Sequence, residues 1–212
     1  MSNVIRGCVG LFAICLILAG CSDEPGRAAA PNANKSQGVE DTTSFEATKR
    51  AAEQGDAEAQ DRLGWMYEKG RGVAKDETEA VKWYKQAAEQ GLADAQSRLG
   101  WMYSKGQGVA QDDAEAVNWW RKAAEQGDAI AQGFLGASYA YGLGVAQDDT
   151  EAVKWYKLSA EQGEALAQYR LGEMYAEGQG VAKDEAEAKK WYQKAADQGH
   201  QKAQDALRAL SR

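Results

Sequence analysis

Apolar residues recur along residues 56–199 with helical spacing, and the same arrangement returns every 36 residues. In the first copy, Ala59, Leu63 and Met66 follow this spacing and predict a helix, here called helix A, over about 56–69. A second helix, helix B, is predicted from Asp76 onward. Its core face is formed by residues spaced i, i+3, i+4, i+7 and i+8, namely Ala80, Trp83, Tyr84, Ala87 and Ala88.

Short motifs fix the boundaries of the four copies. A Leu-Gly pair lies inside each helix A, Gly-x-Gly-Val-Ala follows it, Asp-x-x-Glu-Ala opens each helix B, and Gln-Gly closes each copy. The copies span 56–91, 92–127, 128–163 and 164–199. Units that cannot bury an apolar face alone must stack on their neighbours. The pattern therefore predicts an all-α solenoid of antiparallel helix pairs.

Glycine and acidic residues predict how each helix packs and ends. Gly64 costs about 1 kcal/mol in a helix interior, and its recurrence predicts a close approach between helices. Gly70 is expected to end helix A in the left-handed conformation, and Gly91 is expected to cap helix B. Asp76 and Glu79 are expected to form an acidic capping box at the start of helix B.

The repeat resembles the Sel-one-like repeat family, a relative of the tetratricopeptide repeat. The matching pattern is Ala-x-x-x-Leu-Gly-x-x-Tyr, Gly-x-Gly-Val-x-x-Asp, Ala-x-x-Trp and Ala-Ala-Glu-x-Gly, which together cover nearly all of 42–212. The resemblance implies a right-handed α-solenoid whose A helices line the concave side. Residues 42–55 and 200–212 align with a single helix B and a single helix A. They predict a capping helix at each end and ten helices in all.

The first 41 residues lack the repeat pattern. Residues 1–20 contain an apolar run that is too short to span a bilayer comfortably and is typical of a secretory signal peptide. Leu18-Ala19-Gly20-Cys21 resembles the bacterial lipoprotein signal, which implies cleavage before Cys21 and lipid on its thiol. The alternative is an ordinary signal peptide followed by an accidental cysteine. Residues 21–41 are rich in Ala, Asn and Ser, carry both prolines, and are expected to form a flexible tether.

These features predict a location and restrict the partners. Ser22 after the cysteine resembles the lipoprotein pattern sent to the outer membrane, so we expect a lipid-anchored protein of the bacterial cell envelope that faces the periplasm. Cys8 and Cys15 would leave with the signal, so the mature chain would form no disulfide. The formal net charge of −7 argues against nucleic acid and would steer a basic protein partner.

Each predicted helix A carries four variable positions spaced i, i+4, i+7 and i+11, about a third of a turn from the buried face. We name these positions the A-helix stripe, which comprises 58, 62, 65 and 69 and their equivalents in the later copies. Trp, Tyr and Arg anchor interfaces, and exposed apolar patches indicate contact. The candidate partner-binding residues are Arg62, Trp65, Arg98, Trp101, Ile130, Phe134, Tyr141, Leu166 and Arg170. The alternative is that Trp65 and Trp101 only pack between neighbouring A helices.

The repeats contain few residues suited to catalysis. Paired aspartates such as Asp112 and Asp113 lie at helix starts, where capping explains them. The single histidine, His200, with no cysteine in the repeats, makes no zinc site. The Gly-x-Gly loops follow a helix and lack the third glycine of a dinucleotide site. We expect no cofactor and no metal.

Two functions compete on this basis. The first is a non-catalytic binding module that acts on another envelope protein as a scaffold, as a regulator, or as an immunity protein whose acidic groove closes over a basic toxin. The second is an enzyme acting on cell wall or β-lactams, since some secreted members of the resembled family are cysteine-rich and linked to penicillin binding. This chain lacks their paired cysteines and contains no Ser-x-x-Lys motif. The binding module is therefore the leading hypothesis.

Overall fold

A computed structural model describes residues 37–210, with side chains from residue 44 onward. These residues form ten α-helices and no strand. In chain order the helices are α1 (Gln37–Glu53), α2 (Ala57–Lys69), α3 (Glu77–Glu89), α4 (Ala93–Lys105), α5 (Asp113–Glu125), α6 (Ala129–Tyr141), α7 (Asp149–Glu161), α8 (Ala165–Glu177), α9 (Glu185–Asp197) and α10 (Gln201–Leu210). Helices α2, α4, α6, α8 and α10 are A helices, and the others are B helices. The predicted all-α architecture is confirmed.

The apolar core runs through each repeat and continues into the next. One buried cluster combines Tyr84 of α3 with Leu99 and Met102 of α4, and Trp119 of α5 closes it. Corresponding clusters join the second repeat to the third and the third to the fourth. Each helix pair thus buries its apolar face against its neighbours, which is the packing of a solenoid.

The N-terminal capping helix is longer than predicted. It begins at Gln37, five residues before the expected start at 42, so residues 37–41 are helical rather than part of the tether. Once a helical turn exists, each added residue gains a hydrogen bond, and none of residues 37–41 is proline. The expected signal peptide, Cys21 and the rest of the tether lie outside the described residues. Within 37–210, none of the helices has the length and apolar character needed to cross a membrane.

The mid-helix glycines are required by aromatic rings of helix B. A Cβ atom added at Gly64 would lie 2.7 Å from the Tyr84 ring, and one added at Gly100 would lie 2.6 Å from the Trp120 ring. The predicted close approach is therefore confirmed, and its partner is a side-chain ring rather than backbone. Gly70 ends α2 with a φ of 68°, as predicted.

The start of helix B differs from the predicted capping box. The Asp76 carboxylate accepts hydrogen bonds from the backbone N–H groups of Thr78 and Glu79, as expected of an N-cap. In a capping box the Glu79 side chain would accept a hydrogen bond from the Asp76 N–H. Here the Asp76 N–H donates to the carbonyl oxygen of Tyr67 instead, at 2.9 Å. The Glu79 carboxylate accepts a hydrogen bond from Lys82 instead. The loop is thus tied to helix A through its backbone.

The end of helix B also lies one position from the prediction. Gln90 is the C-cap of α3, in a right-handed conformation, and Gly91 follows it with a φ of 94°. Gly91 therefore occupies the position after the cap, where a left-handed residue lets the chain turn into the next helix A.

Glutamines that the sequence analysis left without a role tie the helices together. Gln96 Nε2 donates to the carbonyl oxygen of Ala88 at 3.0 Å, and Gln96 Oε1 accepts from Gln126 Nε2 at 2.7 Å. Because Ala88 lies in the last turn of α3, where carbonyl groups lack helical partners, Gln96 satisfies the end of that helix. The same two bonds recur at Gln60, Gln132 and Gln168. We name these four residues and their partners at 90, 126, 162 and 198 the glutamine ladder.

Candidate partner-binding site

The structure places all nine candidate residues on the A helices α2, α4, α6 and α8. Their exposure differs widely. Ile130 and Tyr141 are the most exposed large apolar residues among them, at 36% and 40%. Arg62 is exposed, and the other six are half-buried. Ile130 and Tyr141 are therefore the apolar members most available to a partner.

An aromatic stack occupies the middle of the stripe. Phe134 of α6 stacks on the buried ring of Trp120, with ring centroids 4.8 Å apart. Trp101 of α4 also contacts Phe134, and their ring centroids are 5.5 Å apart. Phe134 and Trp101 thus join the second repeat to the third, so these two stripe residues contribute to packing.

The described residues show no ring contact between Trp65 and Trp101. Trp65 packs against the apolar clusters of the first repeats and lies 5.7 Å from the guanidinium of Arg71. Trp101 turns instead toward Phe134 and has the ammonium of Lys105 4.5 Å above its ring. The two rings therefore have different neighbours, Trp65 in the first repeats and Trp101 at the third.

Two arginines flank the stack at the register of Phe134. Arg98 lies 3.4 Å from Asp61 and 5.9 Å from the Tyr84 ring, so it bridges α4 to the first repeat. Arg170 pairs with Glu173 at 2.7 Å within α8. Each guanidinium lies near a tyrosine ring, that of Arg98 near Tyr84 and that of Arg170 at 5.5 Å from Tyr169.

The stripe is not acidic, although the chain is. Its sixteen positions carry five cationic and four acidic side chains, whereas the whole chain has a net charge of −7. The acidic side chains concentrate instead at the starts of the B helices, where they act as caps. The stripe positions alone therefore do not make an acidic groove, and the acidic groove stays a prediction.

Tyrosine hydroxyls lie beneath the stripe, and sequence reasoning assigned them only to the core. Tyr84 Oη donates to Glu68 at 2.6 Å. Tyr156 holds the same position in the third repeat, but its Oη has no hydrogen-bond partner among residues 37–210. Burial raises the pKa of Tyr156 above its ordinary value, so the hydroxyl keeps its proton as a donor. The signal in the sequence was Ala140, which stands where the first repeat has Glu68.

The described residues contain no cluster of three or more His, Cys, Asp or Glu side chains suited to a metal ion. His200 stacks on Tyr169, with ring centroids 4.7 Å apart, and its Nδ1 accepts from the Ala203 N–H at 3.3 Å. Burial lowers the pKa of His200, which favours the neutral ring that can accept this bond. This histidine therefore has a structural role at the start of α10.

Comparison with solved structures finds close relatives of the fold. A protective antigen of uropathogenic Escherichia coli that displays an SLR fold is 47% identical, covers 73% of this chain and 33% of its own, and has a TM-score of 0.72. A Sel1 repeat protein from Oxalobacter formigenes is 40% identical, covers 80% of this chain and 50% of its own, and has a TM-score of 0.74. The chain thus spans only a third and a half of these two proteins.

More distant similarity concerns the fold alone. The immunity protein PA5088 of Pseudomonas aeruginosa is 22% identical over 85% of this chain and 74% of its own, with a TM-score of 0.51. No protein of curated function matches this chain. The family model described as Sel1 repeat matches 57–92, 93–128, 129–164 and 165–200, each one residue later than the copies read from the sequence. Because these segments run without a break through well over half of the chain, the protein belongs to the Sel1 repeat family.

Proposed function

We propose that this protein is a non-catalytic scaffold that binds another protein of the cell envelope through the A-helix stripe. The observation that supports it best is that Ile130 and Tyr141 are exposed near the two ends of α6, on either side of Phe134, which contacts Trp101. Arg98 and Arg170 hold the position of Phe134 on the neighbouring A helices α4 and α8. Apolar and aromatic residues flanked by arginine are typical of interface anchors. A stack of helical repeats is a rigid support for such a surface.

Within this class we favour a scaffold or regulator over a toxin-neutralising immunity protein. The immunity hypothesis depended on an acidic groove that would attract a basic toxin. The stripe carries more cationic than acidic side chains, and similarity at 22% identity to an immunity protein supports the fold alone. Electrostatic steering by the stripe itself therefore does not favour a basic partner.

The envelope location is part of the same proposal and rests on the lipoprotein signal at residues 18–21. A lipid-anchored Cys21 and a tether would hold the solenoid at the outer membrane facing the periplasm. Labelling with a fatty-acid precursor tests this directly. We expect the parent to take up label and Cys21→Ala to lose it. Absence of label from both proteins would contradict the lipid anchor.

Crosslinking capture from an envelope extract tests the binding surface. The double variant Ile130→Ser, Tyr141→Ser removes the two exposed anchors while it leaves the Phe134–Trp120 stack in place. We expect it to lose the captured partner, because interface anchors contribute about 2 kcal/mol or more each. Leu158→Ser is the matched control, since Leu158 is 45% exposed and lies on the B helix α7.

The control must capture the partner as the parent does, and circular dichroism must show unchanged helicity in both variants. If the double variant captures the same partner in parental amount, binding lies elsewhere and the stripe serves packing.

A further inference from the structure

Two hydrogen-bond donors lie buried without acceptors where the third repeat meets the fourth. Tyr156 is 3% exposed, and its Oη has no hydrogen-bond partner among residues 37–210. The Nε atom of Arg170 is buried and unpartnered in the same way. Buried donors are satisfied in nearly all native structures, because a donor that has left water without an acceptor destabilises the fold. The two groups are therefore available to an acceptor that comes from outside the chain.

The first repeat shows which acceptor would suit this position. Tyr84, the counterpart of Tyr156, donates its hydroxyl hydrogen to the Glu68 carboxylate at 2.6 Å. The third repeat has Ala140 at the position of Glu68. A carboxylate is thus the group that an equivalent tyrosine binds in this same chain.

The carboxylate that pairs with Arg170 bonds to other donors. Glu173 accepts from the Nη1 of Arg170 at 2.7 Å and also accepts from the hydroxyl of Tyr169. Arg170 and Tyr156 hold the positions of Arg98 and Tyr84, whose guanidinium and ring lie 5.9 Å apart, so the Arg170 Nε–H and the Tyr156 Oη–H are two unpartnered donors of one region, one of them on a cation. Ionised carboxylates are acceptors only and bind such donors more strongly than neutral groups do.

Tyr141 lies at the outer side of these donors. It is the last residue of α6, is 40% exposed, and is close enough to interact electrostatically with both Tyr156 and Arg170. Oη of Tyr156 and Nε of Arg170 are themselves closed to solvent. An exposed side chain in the final turn of a helix changes rotamer rapidly, so Tyr141 can act as the entrance. We name Tyr141, Tyr156 and Arg170 the Tyr-Arg recess.

We propose that the Tyr-Arg recess binds the carboxylate of an aspartate or glutamate side chain on a bound protein segment. This inference rests on the proposed function and specifies the chemistry of the partner. The partner's carboxylate accepts a hydrogen bond from the Tyr156 hydroxyl, as Glu68 does from the Tyr84 hydroxyl. The exposed Ile130 on the same helix receives an apolar residue of the same segment. The partner is thus anchored by an acidic group, although the chain as a whole would attract basic proteins.

Acetate is the smallest probe of this chemistry. The full-length chain, labelled with ¹⁵N-arginine and held in mild detergent, is titrated with sodium acetate, sodium chloride and acetamide. We expect the Arg170 Nε–H resonance to shift saturably with acetate alone, and Tyr156→Phe to weaken acetate binding by about tenfold, the loss of one hydrogen bond to a charged group. Equal shifts with acetate and chloride at the same ionic strength, or parental acetate binding by Tyr156→Phe, would overturn the proposal.

A pair of matched variants tests whether the hydroxyl is truly unpartnered in the free protein. Tyr156→Phe removes an unpaired hydroxyl and should leave the melting temperature unchanged or raise it. Tyr84→Phe removes the bond to Glu68 and should lower it. A loss of melting temperature in Tyr156→Phe as large as in Tyr84→Phe would show an internal partner for Tyr156 and overturn the proposal.

Crosslinking capture separates this inference from the proposed function. If the Ile130→Ser, Tyr141→Ser variant loses the partner while Tyr156→Phe captures it in parental amount and acetate causes no shift, the stripe binds protein but the recess binds no carboxylate. If the double variant still captures the partner, the proposed function fails, and the acetate titration alone decides whether the recess binds a carboxylate.

Discussion

Single glycines decide how closely helix A can lie against helix B. A Cβ atom at Gly136 would lie 2.8 Å from the buried Tyr156 ring. Overpacking of this kind costs roughly 1–3 kcal/mol, which outweighs the gain of about 1 kcal/mol from alanine in a helix interior. We expect Gly136→Ala to lower the free energy of unfolding by about 1–2 kcal/mol in urea denaturation followed by circular dichroism.

Gly133 in the same helix is the matched control. A Cβ atom there would meet one atom, Ser159 Oγ, at 3.2 Å. Gly133→Ala should therefore retain more of the gain in helix propensity and be the more stable of the two variants. Equal stability of the two variants would show that the aromatic ring does not require the glycine.

The sequence pattern predicted buried apolar residues well but missed buried polar ones. Leu63, Leu99 and their equivalents are fully buried because the helical period places them there whatever their neighbours are. The hydrogen bonds of Gln96 were not predicted, because its partner Gln126 is 30 residues away. Hydrogen bonds at that separation depend on side-chain direction, which hydropathy does not record.

The glutamine ladder predicts a stabilising link between helices. Gln96→Ala would leave the Ala88 carbonyl and the Gln126 amide without this partner. We expect a loss of about 1–3 kcal/mol in the free energy of unfolding, since buried polar groups left unpaired are costly. Gln179→Ala is the control, because Gln179 lies exposed in a loop and should change stability by less than about 0.5 kcal/mol. A Gln96→Ala variant as stable as the control would contradict a role for the ladder.

The ion pair of Asp61 and Arg98 links neighbouring A helices and predicts a pH dependence. Burial raises the pKa of Asp61 from 3.8 to about 6; Arg98 opposes this rise, and Asp94 and Glu68 add to it. Because the folded-state pKa is above the unfolded value, the folded state holds the proton more tightly. The Asp61 contribution to stability is then complete below 3.8 and is lost as the pH rises through about 6. The loss amounts to at most about 3 kcal/mol.

Denaturation midpoints measured across this pH range for the parent and Asp61→Asn isolate the effect. Asparagine does not titrate, so the variant should show a flatter dependence between the two pKa values than the parent. Parallel curves for the two proteins would show that Asp61 does not cause the pH dependence.

Helix positions were predicted more reliably than helix ends. The motifs located every helix of the repeats to within a residue or two, because caps and glycines are short-range signals. The extended start of α1 and the incomplete capping box were missed for physical reasons. Helix extension depends on an existing turn, and the Asp76 N–H was taken by a carbonyl of the preceding helix.

The solenoid followed from the repeat, but the electrostatics of its surface did not. A fixed period requires stacking, and the clusters between repeats confirm it. Net charge sums over all surfaces, so the value of −7 gave no information about the A-helix stripe, where cationic side chains outnumber acidic ones. Counting charges position by position separates the capping carboxylates at the starts of the B helices from the stripe.

Excision of the third repeat tests whether the 36-residue copy is the unit of packing. Deleting 128–163 joins the end of one copy to the start of another and places Trp120 against Arg170, as Tyr84 now lies against Arg98 at 5.9 Å. The shortened chain should therefore still unfold cooperatively, with a denaturant m-value reduced in proportion to the surface lost. It should also lose partner capture, because Ile130 and Tyr141 are removed. Deleting only 128–147 leaves two B helices in succession, so this control should not unfold cooperatively. If the two deletions behave alike, the helix pair is not the structural unit.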